Sequence, residues 1–213
     1  MFYLTRVPSP AIIAQAFKDV KPAIVIAVPL VIEKIIRKKV FPQIQNTKVK
    51  LLMKMPGVGK KVKKRICEQV YQAFGGNLYE VIIGGAALNQ EIESFLKDID
   101  FPFTVGYGAT ECAPIITYSD WHDFVPMSCG REVVHMEVKI DSENPETVPG
   151  EILARGLNVM LGYYKNDEAT AQTIDKDGWY HTGDLGLMDK GGNVFIKGRS
   201  KNMLLGPNGQ NIY

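Results

Sequence analysis

Three side chains that suit nucleotide chemistry lie within five residues, in the segment Tyr107-Gly108-Ala109-Thr110-Glu111. An aromatic ring can cover a base, a hydroxyl can bond a phosphate oxygen, and a carboxylate can hold Mg²⁺, which prefers hard oxygen ligands. The β-branched residues Thr104 and Val105 favour a strand that ends at this segment. Gly106 and Gly108 are free to adopt positive φ and to let a ligand approach the backbone. A tight turn around a buried tyrosine would fit the same residues.

The elements before this segment predict a second glycine-containing turn beside it. Residues 79–83 predict a strand, Asn89 is a good N-cap for a helix over residues 90–97, and residues 103–105 predict the next strand. This order predicts a right-handed crossover between parallel strands. Because parallel strands bring their carboxyl ends to one edge, the turn Gly84-Gly85-Ala86 is expected to lie beside Tyr107-to-Glu111, where open α/β sheets bind ligands. Two such turns around one ring favour a nucleotide pocket.

The two ends of the chain predict different architectures. Near the start, residues 10–20 show helical spacing, residues 23–28 predict a buried strand, and Pro29 suits the first turn of a helix. After Pro114, short strand-like runs and turn residues predict antiparallel pairing; the runs are 128–140, 150–155 and 185–197, with a hairpin turn at 189–193. The predicted fold class is therefore α/β, with a parallel-sheet subdomain (residues 1–125) followed by a smaller antiparallel subdomain resembling a distorted barrel (residues 126–200).

Two further polar groups stand out in the antiparallel part. Asp184 follows Gly183, and one carboxylate can accept hydrogen bonds from the two neighbouring hydroxyls of a ribose. A turn-capping aspartate is the alternative. Arg199 and Lys201 add two cations, which an exposed surface would also explain.

Composition limits the classes of function. The 213 residues are 46% hydrophobic, with 25 basic and 23 acidic residues and a formal net charge of +2, which does not favour a nucleic-acid partner. The three cysteines are widely spaced and indicate reduced thiols in a cytoplasmic chain, without a zinc site or a disulfide framework. The longest apolar run, Pro22 to Ile32, is short of the roughly 18 to 20 residues of a spanning helix. Residues 1–6 lack the features of a signal peptide.

A basic run covers Lys60, Lys61, Lys63, Lys64 and Arg65. A solvated helix face explains it, and a surface that meets anionic lipid or a polyphosphate is the alternative. The nearby glycines do not form a phosphate loop, because lysines occupy the positions that need glycine and Ser or Thr. Peripheral attachment to a membrane therefore stays among the expectations.

Taken in order along the chain, several motifs resemble those of the AMP-forming acyl-CoA synthetases, and most closely the long-chain fatty acid CoA ligases. The matching segments span nearly the whole sequence; they are 21–29, 33–35, 84–88, 107–111, 156–164, 178–179, 182–184, 198–201 and 209–212.

The resemblance implies a role for each matching position. Tyr107 is similar to the residue whose ring lies against adenine, with Gly108 beside it, and Thr110 and Glu111 are similar to those that touch the α-phosphate and hold Mg²⁺. The remaining implied positions are Gly84, Gly85 and Ala86 as the facing adenine and acyl wall, Asp184 on the ribose, Ile196 as an apolar contact, Arg199 on ribose and phosphate, and Lys201 as the start of a hinge over residues 201–213.

The implied reaction is ATP-dependent activation of a fatty acid as acyl-AMP, followed by transfer to coenzyme A. ATP, Mg²⁺, coenzyme A and the fatty acid are the implied cofactor, metal and substrates. Charge develops on the α-phosphate during activation, so a cation and hydroxyl donors at that position make chemical sense.

The sequence also departs from the family pattern. It lacks the Ser/Thr/Gly-rich phosphate loop and the small C-terminal domain whose lysine engages the carboxylate, so we expect an internal fragment with little or no turnover by itself. Full ligation activity from the 213 residues would contradict that expectation. An adenylation domain that loads a carrier protein, an aryl-acid ligase and a non-catalytic nucleotide-binding module remain as alternatives.

Overall fold

The computed structural model describes residues 9–44, 51–53, 55–199, 204–205 and 211–212. The chain divides into two compact units, Met1–Thr104 and Val105–Tyr213. The subdomain limits predicted at residues 125 and 200 stay a prediction, because a compact unit need not coincide with a subdomain of a larger fold.

A three-stranded sheet organises the first unit. Its strands are β1 (Ile24–Ala27), β2 (Glu80–Ile83) and β3 (Phe103–Val105), in the order β1-β2-β3. β1 and β2 are parallel, with Ile24 opposite Glu80. Val81 and Ile83 are fully buried, as expected for a strand with a neighbour on each side. The prediction of a parallel sheet in this half of the chain is confirmed. The prediction that residues 23–28 form a buried strand is wrong, because β1 is the end strand of this sheet and its Ile24 and Ile26 are 53% and 78% exposed.

Local sequence signals explain where the first helices begin and end. α1 (Pro10–Val20) starts after Ser9, whose hydroxyl accepts a hydrogen bond from the Ile12 N–H at 3.3 Å, and ends at Lys21 in the left-handed conformation. α2 (Pro29–Ile35) has proline in its first turn, as predicted. It continues as a π-helical turn (Ile36–Val40), which is followed by α3 (Phe41–Ile44).

Two further helices complete the first unit. Residues 51–53 are helical and precede α4 (Val58–Ala73), which buries Ile66 and Val70 on one face. α5 (Gln90–Asp98) begins after Asn89. The side-chain oxygen of Asn89 accepts hydrogen bonds from the backbone N–H groups of Glu91 and Ile92. The predicted cap at Asn89 is therefore present. No helix within the described ranges is both long enough and apolar enough to cross a lipid bilayer.

The second unit opens with a small antiparallel sheet. Its strands are β4 (Tyr107–Gly108), β5 (Ile115–Tyr118) and β6 (Arg131–Glu132), in that order. A 3₁₀ turn, Thr110–Cys112, lies between β4 and β5. The sheet fixes the backbone on both sides of that turn.

A four-stranded antiparallel sheet follows, with the strand order β10-β9-β8-β7. Its strands are β7 (Met136–Asp141), β8 (Gly150–Gly156), β9 (Tyr180–Met188) and β10 (Val194–Arg199), with α6 (Asp167–Thr173) between β8 and β9. In β7, buried Met136, Val138 and Ile140 alternate with exposed residues, so one face of the sheet is apolar. A further pair, β11 (Leu204–Leu205) with β12 (Asn211–Ile212), is antiparallel.

The antiparallel character of the second half confirms the predicted α/β class with an antiparallel part. The hairpin turn at 189–193 is present, and the Asp189 carboxylate accepts from the N–H groups of Gly191 and Asn193, both at 2.9 Å. The run 128–140 is not one strand, because His135 has φ +67° and separates β6 from β7. Closure of the sheet into a barrel stays a prediction.

Candidate nucleotide site

Tyr107 lies in β4 with its side chain buried, and its hydroxyl donates to Asp184 Oδ2 at 2.8 Å. Burial raises the pKa of the Tyr107 phenol far above its usual value, and the Asp184 charge adds to this effect, while a hydrogen bond with Thr182 opposes it. The phenol therefore stays protonated and acts as a donor at neutral pH.

The carboxylate of Asp184 is shared between Tyr107 and Arg199. Arg199 Nε lies 3.1 Å from Asp184 Oδ1, and the two residues face each other across the β9 and β10 ladder. The Asp184 side chain is only 14% exposed, whereas that of Arg199 is 74% exposed. Asp184 is 77 positions from Tyr107 and 15 from Arg199 along the chain, yet it contacts both. A nearly buried carboxylate thus lies beside an exposed guanidinium group.

A bend in β9 orients the Asp184 side chain toward Tyr107 and Arg199. Gly183 has φ +71°, which favours glycine, and its N–H donates to Glu151 Oε1 at 2.8 Å. Thr182 Oγ1 donates to the Ile152 carbonyl at 2.7 Å and accepts from the Asp184 N–H at 3.0 Å. The other oxygen of Glu151 lies 3.0 Å from His181 Nδ1. Glu151 on β8 therefore connects to two residues of the segment that precedes Asp184.

Thr110 and Glu111 form the 3₁₀ turn after β4, and Thr110 is exposed. The Glu111 carboxylate accepts from the Tyr163 hydroxyl at 2.8 Å. A hydrogen bond from its own backbone N–H lowers the pKa of Glu111 below its usual value; the hydroxyls of Tyr163 and Tyr180 add to this, and burial opposes it. Glu111 is therefore an anion at neutral pH, beside an exposed hydroxyl.

The segment that follows β8 holds the turn in place. Asn158 Nδ2 donates to the carbonyls of Cys112 and Ile115 at 2.8 and 2.7 Å, and the Met160 N–H donates to the Glu111 carbonyl at 2.7 Å. Cys112 is fully buried, and burial together with the Glu111 charge raises the pKa of its thiol to about 11. Its place is structural, since a buried neutral thiol is a poor nucleophile.

The glycines that bracket Tyr107 have a different explanation from the predicted one. Neither Gly106 nor Gly108 adopts positive φ. A Cβ on Gly108 would collide with the carbonyl oxygen of Pro114, and one on Gly106 would lie 3.1 Å from Ile115 Cδ1. Close approach of the chain entering β5 therefore requires glycine at position 108.

The other predicted site residues fall in three places. Ile196 lies on β10, is 40% exposed and faces Gly186 across the ladder. Gly84, Gly85 and Ala86 follow β2 in the first unit, where Gly85 has φ +83° and the Gly84 N–H donates to the Ala27 carbonyl at 3.2 Å. Their predicted position beside the tyrosine stays a prediction. Lys201 lies outside the described residues.

Glu111 is the carboxylate of this turn that could bind a magnesium ion. Among the described residues there is no group of three or more His, Cys, Asp or Glu side chains placed to hold a metal ion. Mg²⁺ is commonly bound by one or two carboxylates together with substrate phosphates and waters, so the ionised Glu111 fits that mode of binding. The residues present are consistent with a metal that arrives with a phosphate ligand.

Several residues of the site carry no local signal in the sequence. Tyr163 lies 52 positions from Glu111, and Glu151 lies 32 positions from Gly183. Asn158 and Tyr163 fall in the motif 156–164, which supports the resemblance but does not by itself indicate a contact with the turn. The pairing of β8 with β9 brings Glu151 to Gly183, and the segment that follows β8 brings Asn158 and Tyr163 to the turn.

Residues 1–164 match the model of the family described as AMP-binding enzyme. Since this match covers more than half of the sequence, the chain belongs to the AMP-binding enzyme family.

Curated relatives agree with this placement, and a solved structure shares the fold. The long-chain-fatty-acid–CoA ligase ACSBG2 of Rattus norvegicus is 30% identical over an alignment that covers 94% of this chain and 33% of the relative. The 4-coumarate–CoA ligase 1 of Glycine max is 42% identical over 134 residues, 57% of this chain and 45% of the relative. ATP-bound MatB from Rhodopseudomonas palustris superposes with a TM-score of 0.71 at 23% identity, over 99% of this chain and 37% of that structure. The chain thus spans about a third of the length of ACSBG2.

Proposed function

We propose that this chain carries the AMP-binding part of an ATP-dependent ligase that converts a fatty acid to acyl-AMP and then to its coenzyme A thioester. The observation that supports the proposal most is the shared carboxylate of Asp184, which joins Tyr107 and Arg199 in the family's own motifs. Adenosine monophosphate can be bound by an aromatic ring at its base, a hydrogen-bond acceptor at its ribose hydroxyls and an exposed cation at its phosphate.

Each group has a defined part in binding AMP. The Tyr107 ring covers adenine, and aromatic stacking on a base contributes about 1–3 kcal/mol. The Asp184 carboxylate has about four acceptor positions, of which the structure uses one on each oxygen, so two remain for the ribose hydroxyls. Arg199 reaches the ribose and the phosphate, and the apolar side chain of Ile196 covers the sugar.

Thr110 and Glu111 face the phosphate in this proposal. The Thr110 hydroxyl donates to a non-bridging oxygen of the α-phosphate, and the Glu111 carboxylate would hold Mg²⁺. The metal ion would supply positive charge against the charge that develops on the phosphates. The backbone N–H of Glu111, followed by the hydroxyls of Tyr163 and Tyr180, stabilises the ionised form of this carboxyl.

The proposed reaction proceeds in two steps. An oxygen of the substrate carboxylate attacks the α-phosphorus of ATP, the bond to the β-phosphate breaks, and pyrophosphate leaves. The coenzyme A thiol, after losing its proton, then attacks the acyl carbon, and AMP leaves with the bonding electrons. This chain contributes the binding and orientation of the adenylate in both steps.

A fatty acid is the proposed substrate because long-chain-fatty-acid–CoA ligases align with nearly the whole chain. Such a ligase from Saccharomyces cerevisiae is 32% identical over 82% of this sequence. A hydroxycinnamate is the second candidate, because the 4-coumarate–CoA ligase relative has the higher identity of 42%, although over 57% of the chain.

Calorimetric titration of the 213-residue chain with AMP tests the proposal. We expect the wild-type chain to bind AMP more tightly than GMP, and Asp184→Asn to weaken AMP binding about tenfold or more, because hydrogen bonds to a charged group contribute about 1.5–3 kcal/mol. Asp141→Asn, an exposed aspartate at the end of β7, is the matched control. Equal binding by wild type and Asp184→Asn would contradict the proposed site.

A second titration separates the two candidate substrates. Non-hydrolysable adenylates of palmitate and of 4-coumarate share the AMP group and differ only in the acyl part. Tighter binding of the palmitoyl compound supports the fatty acid, and tighter binding of the coumaroyl compound rejects it in favour of the second candidate.

A further inference from the structure

The cations of α4 form an exposed surface in the first unit. Four of them, Lys60, Lys61, Lys64 and Arg65, are exposed and recur at the helical spacing that places them along the side opposite the buried face. Within the described part of the chain, none of the four takes part in an ion pair, whereas their neighbour Lys63 lies 2.5 Å from Asp98. The four positive charges are therefore available to an external anion.

Apolar side chains adjoin this basic stripe. Leu51, Leu52, Met55 and Val58 are each between 39% and 64% exposed. Leu51 and Leu52 belong to the helical residues 51–53, Met55 to the turn before α4, and Val58 is the first residue of α4. A solvated helix face alone does not account for four exposed apolar residues next to four unpaired cations. An interface that is both apolar and anionic would match both groups.

The backbone holds the two groups next to each other. Gly59 lies so close to the backbone of Met53 that a Cβ on this glycine would collide with the Met53 carbonyl oxygen. The Gly59 N–H also donates to the Met55 carbonyl at 2.8 Å, and Gly57 turns the chain with φ +76°. The apolar turn is thus fixed against the first turn of α4.

We propose that this surface docks on an anionic membrane, with the four cations at the lipid headgroups and the four apolar side chains at the boundary with the acyl chains. It is called the docking surface here and comprises Leu51, Leu52, Met55, Val58, Lys60, Lys61, Lys64 and Arg65. Each basic residue near an anionic bilayer strengthens binding about fivefold, and the apolar side chains add a contribution that salt does not screen. The docking surface is independent of the proposed ligase activity, since it binds without any substrate.

Co-sedimentation of the 213-residue chain with lipid vesicles measures this interaction. Vesicles of phosphatidylcholine alone are compared with vesicles that contain phosphatidylserine. We expect at least about tenfold tighter binding to the phosphatidylserine vesicles, weakened but not abolished by salt. Equal binding to both vesicles, or no binding to either, would overturn the proposal.

Paired variants locate the interaction. Lys60→Gln with Lys61→Gln should weaken binding about 25-fold, since two cations are removed. The control Lys176→Gln with Lys190→Gln removes the same charge from exposed turns of the second unit and should bind as the wild type does. Leu51→Ser with Met55→Ser should lower the binding that remains at high salt. Thermal unfolding followed by circular dichroism shows that each variant is folded before it is compared.

A free polyphosphate is the competing ligand for the same cations. If inorganic tripolyphosphate binds the chain and the Leu51→Ser with Met55→Ser variant binds vesicles unchanged, the surface is a polyphosphate site and the membrane proposal is wrong. Equal vesicle binding by the Lys60→Gln with Lys61→Gln variant and the wild type would also overturn it.

Discussion

One carboxylate links three parts of the candidate site. Asp184 accepts from the phenol of Tyr107 and pairs with Arg199, and both partners reach it from other strands of the second unit. A nearly enclosed carboxylate is costly unless donors surround it, and here the two donors meet that need. The same donors orient the carboxylate, so that its remaining acceptor positions face a defined direction.

Replacement of Tyr107 by Phe removes the hydroxyl and keeps the ring, so it distinguishes the contributions of the two groups. We expect Tyr107→Phe to lower the free energy of unfolding by about 1–2 kcal/mol, because a hydrogen bond to a charged acceptor is lost. Affinity for AMP should change less than about threefold, since the ring that covers the base is retained. Chemical denaturation and calorimetry measure the two quantities.

The controls for this prediction are Tyr107→Leu and Tyr164→Phe. Tyr107→Leu removes the ring and should weaken AMP binding about tenfold. Tyr164→Phe, at an exposed position, should leave both quantities unchanged. A tenfold loss of AMP affinity in Tyr107→Phe would show that the hydroxyl, and not the ring, carries the interaction with the nucleotide.

Glu111 gives the stability of the fold a dependence on pH. The folded-state pKa of this carboxyl lies below its usual value, mainly because its own backbone N–H donates a hydrogen bond to it. Ionised Glu111 therefore stabilises the fold at pH values above the unfolded pKa of about 4.3, and this contribution is lost as the pH falls through the lower folded-state pKa. We expect the wild type to be more stable than Glu111→Gln at neutral pH, and the difference to shrink below about pH 4. Urea denaturation across this range would contradict the assignment if the difference stayed constant.

At the scale of elements, the contact between β8 and β9 is what aims Asp184. Glu151 accepts from the Gly183 N–H and also contacts His181, although it touches none of the groups proposed to bind AMP. It is therefore a positioning residue. Its two oxygens have separate partners, which allows the two contacts to be tested separately.

Glu151→Ala should weaken AMP binding, because the bend at Gly183 loses its acceptor and Asp184 is no longer held in one direction. Glu151→Gln keeps an oxygen for the Gly183 N–H and should restore most of the affinity. Glu137→Ala on the neighbouring strand β7 breaks an exposed pair with Arg155 and serves as the control. If Glu151→Ala lowered the melting temperature but left the affinity for AMP unchanged, Glu151 would have a structural role only.

Elements with strong local signals could be predicted from the sequence. The Asn89 cap, the proline at the start of α2 and the apolar runs of β1 and β2 each indicate a backbone conformation by themselves. The break between β6 and β7 could not be predicted, because it depends on the left-handed conformation of His135, a residue that does not indicate a turn.

At the scale of the whole chain, the described candidate residues divide between the two units. Tyr107, Thr110, Glu111, Asp184, Ile196 and Arg199 lie in the second unit, whereas Gly84, Gly85 and Ala86 lie in the first. The second unit therefore holds the groups proposed for the base, the ribose and the phosphate. The docking surface belongs to the first unit.

The types of the candidate residues could be predicted from the sequence, but their environments could not. The motif containing Tyr107 and Glu111 indicates a ring and a carboxylate, and the chemistry of a nucleotide follows from those types. That the hydroxyls of Tyr163 and Tyr180 meet Glu111 depends on contacts between residues more than 50 positions apart, for which no periodicity gives a signal. The site is thus encoded in two ways, by local motifs and by long-range register.

A crystal structure of the 213-residue chain with AMP tests the central claim most directly. We predict that the adenine ring lies against the ring of Tyr107, that both ribose hydroxyls donate to Asp184, and that Arg199 contacts the ribose or the phosphate. AMP bound at any other place in the chain, with Asp184 still occupied only by Tyr107 and Arg199, would contradict the account.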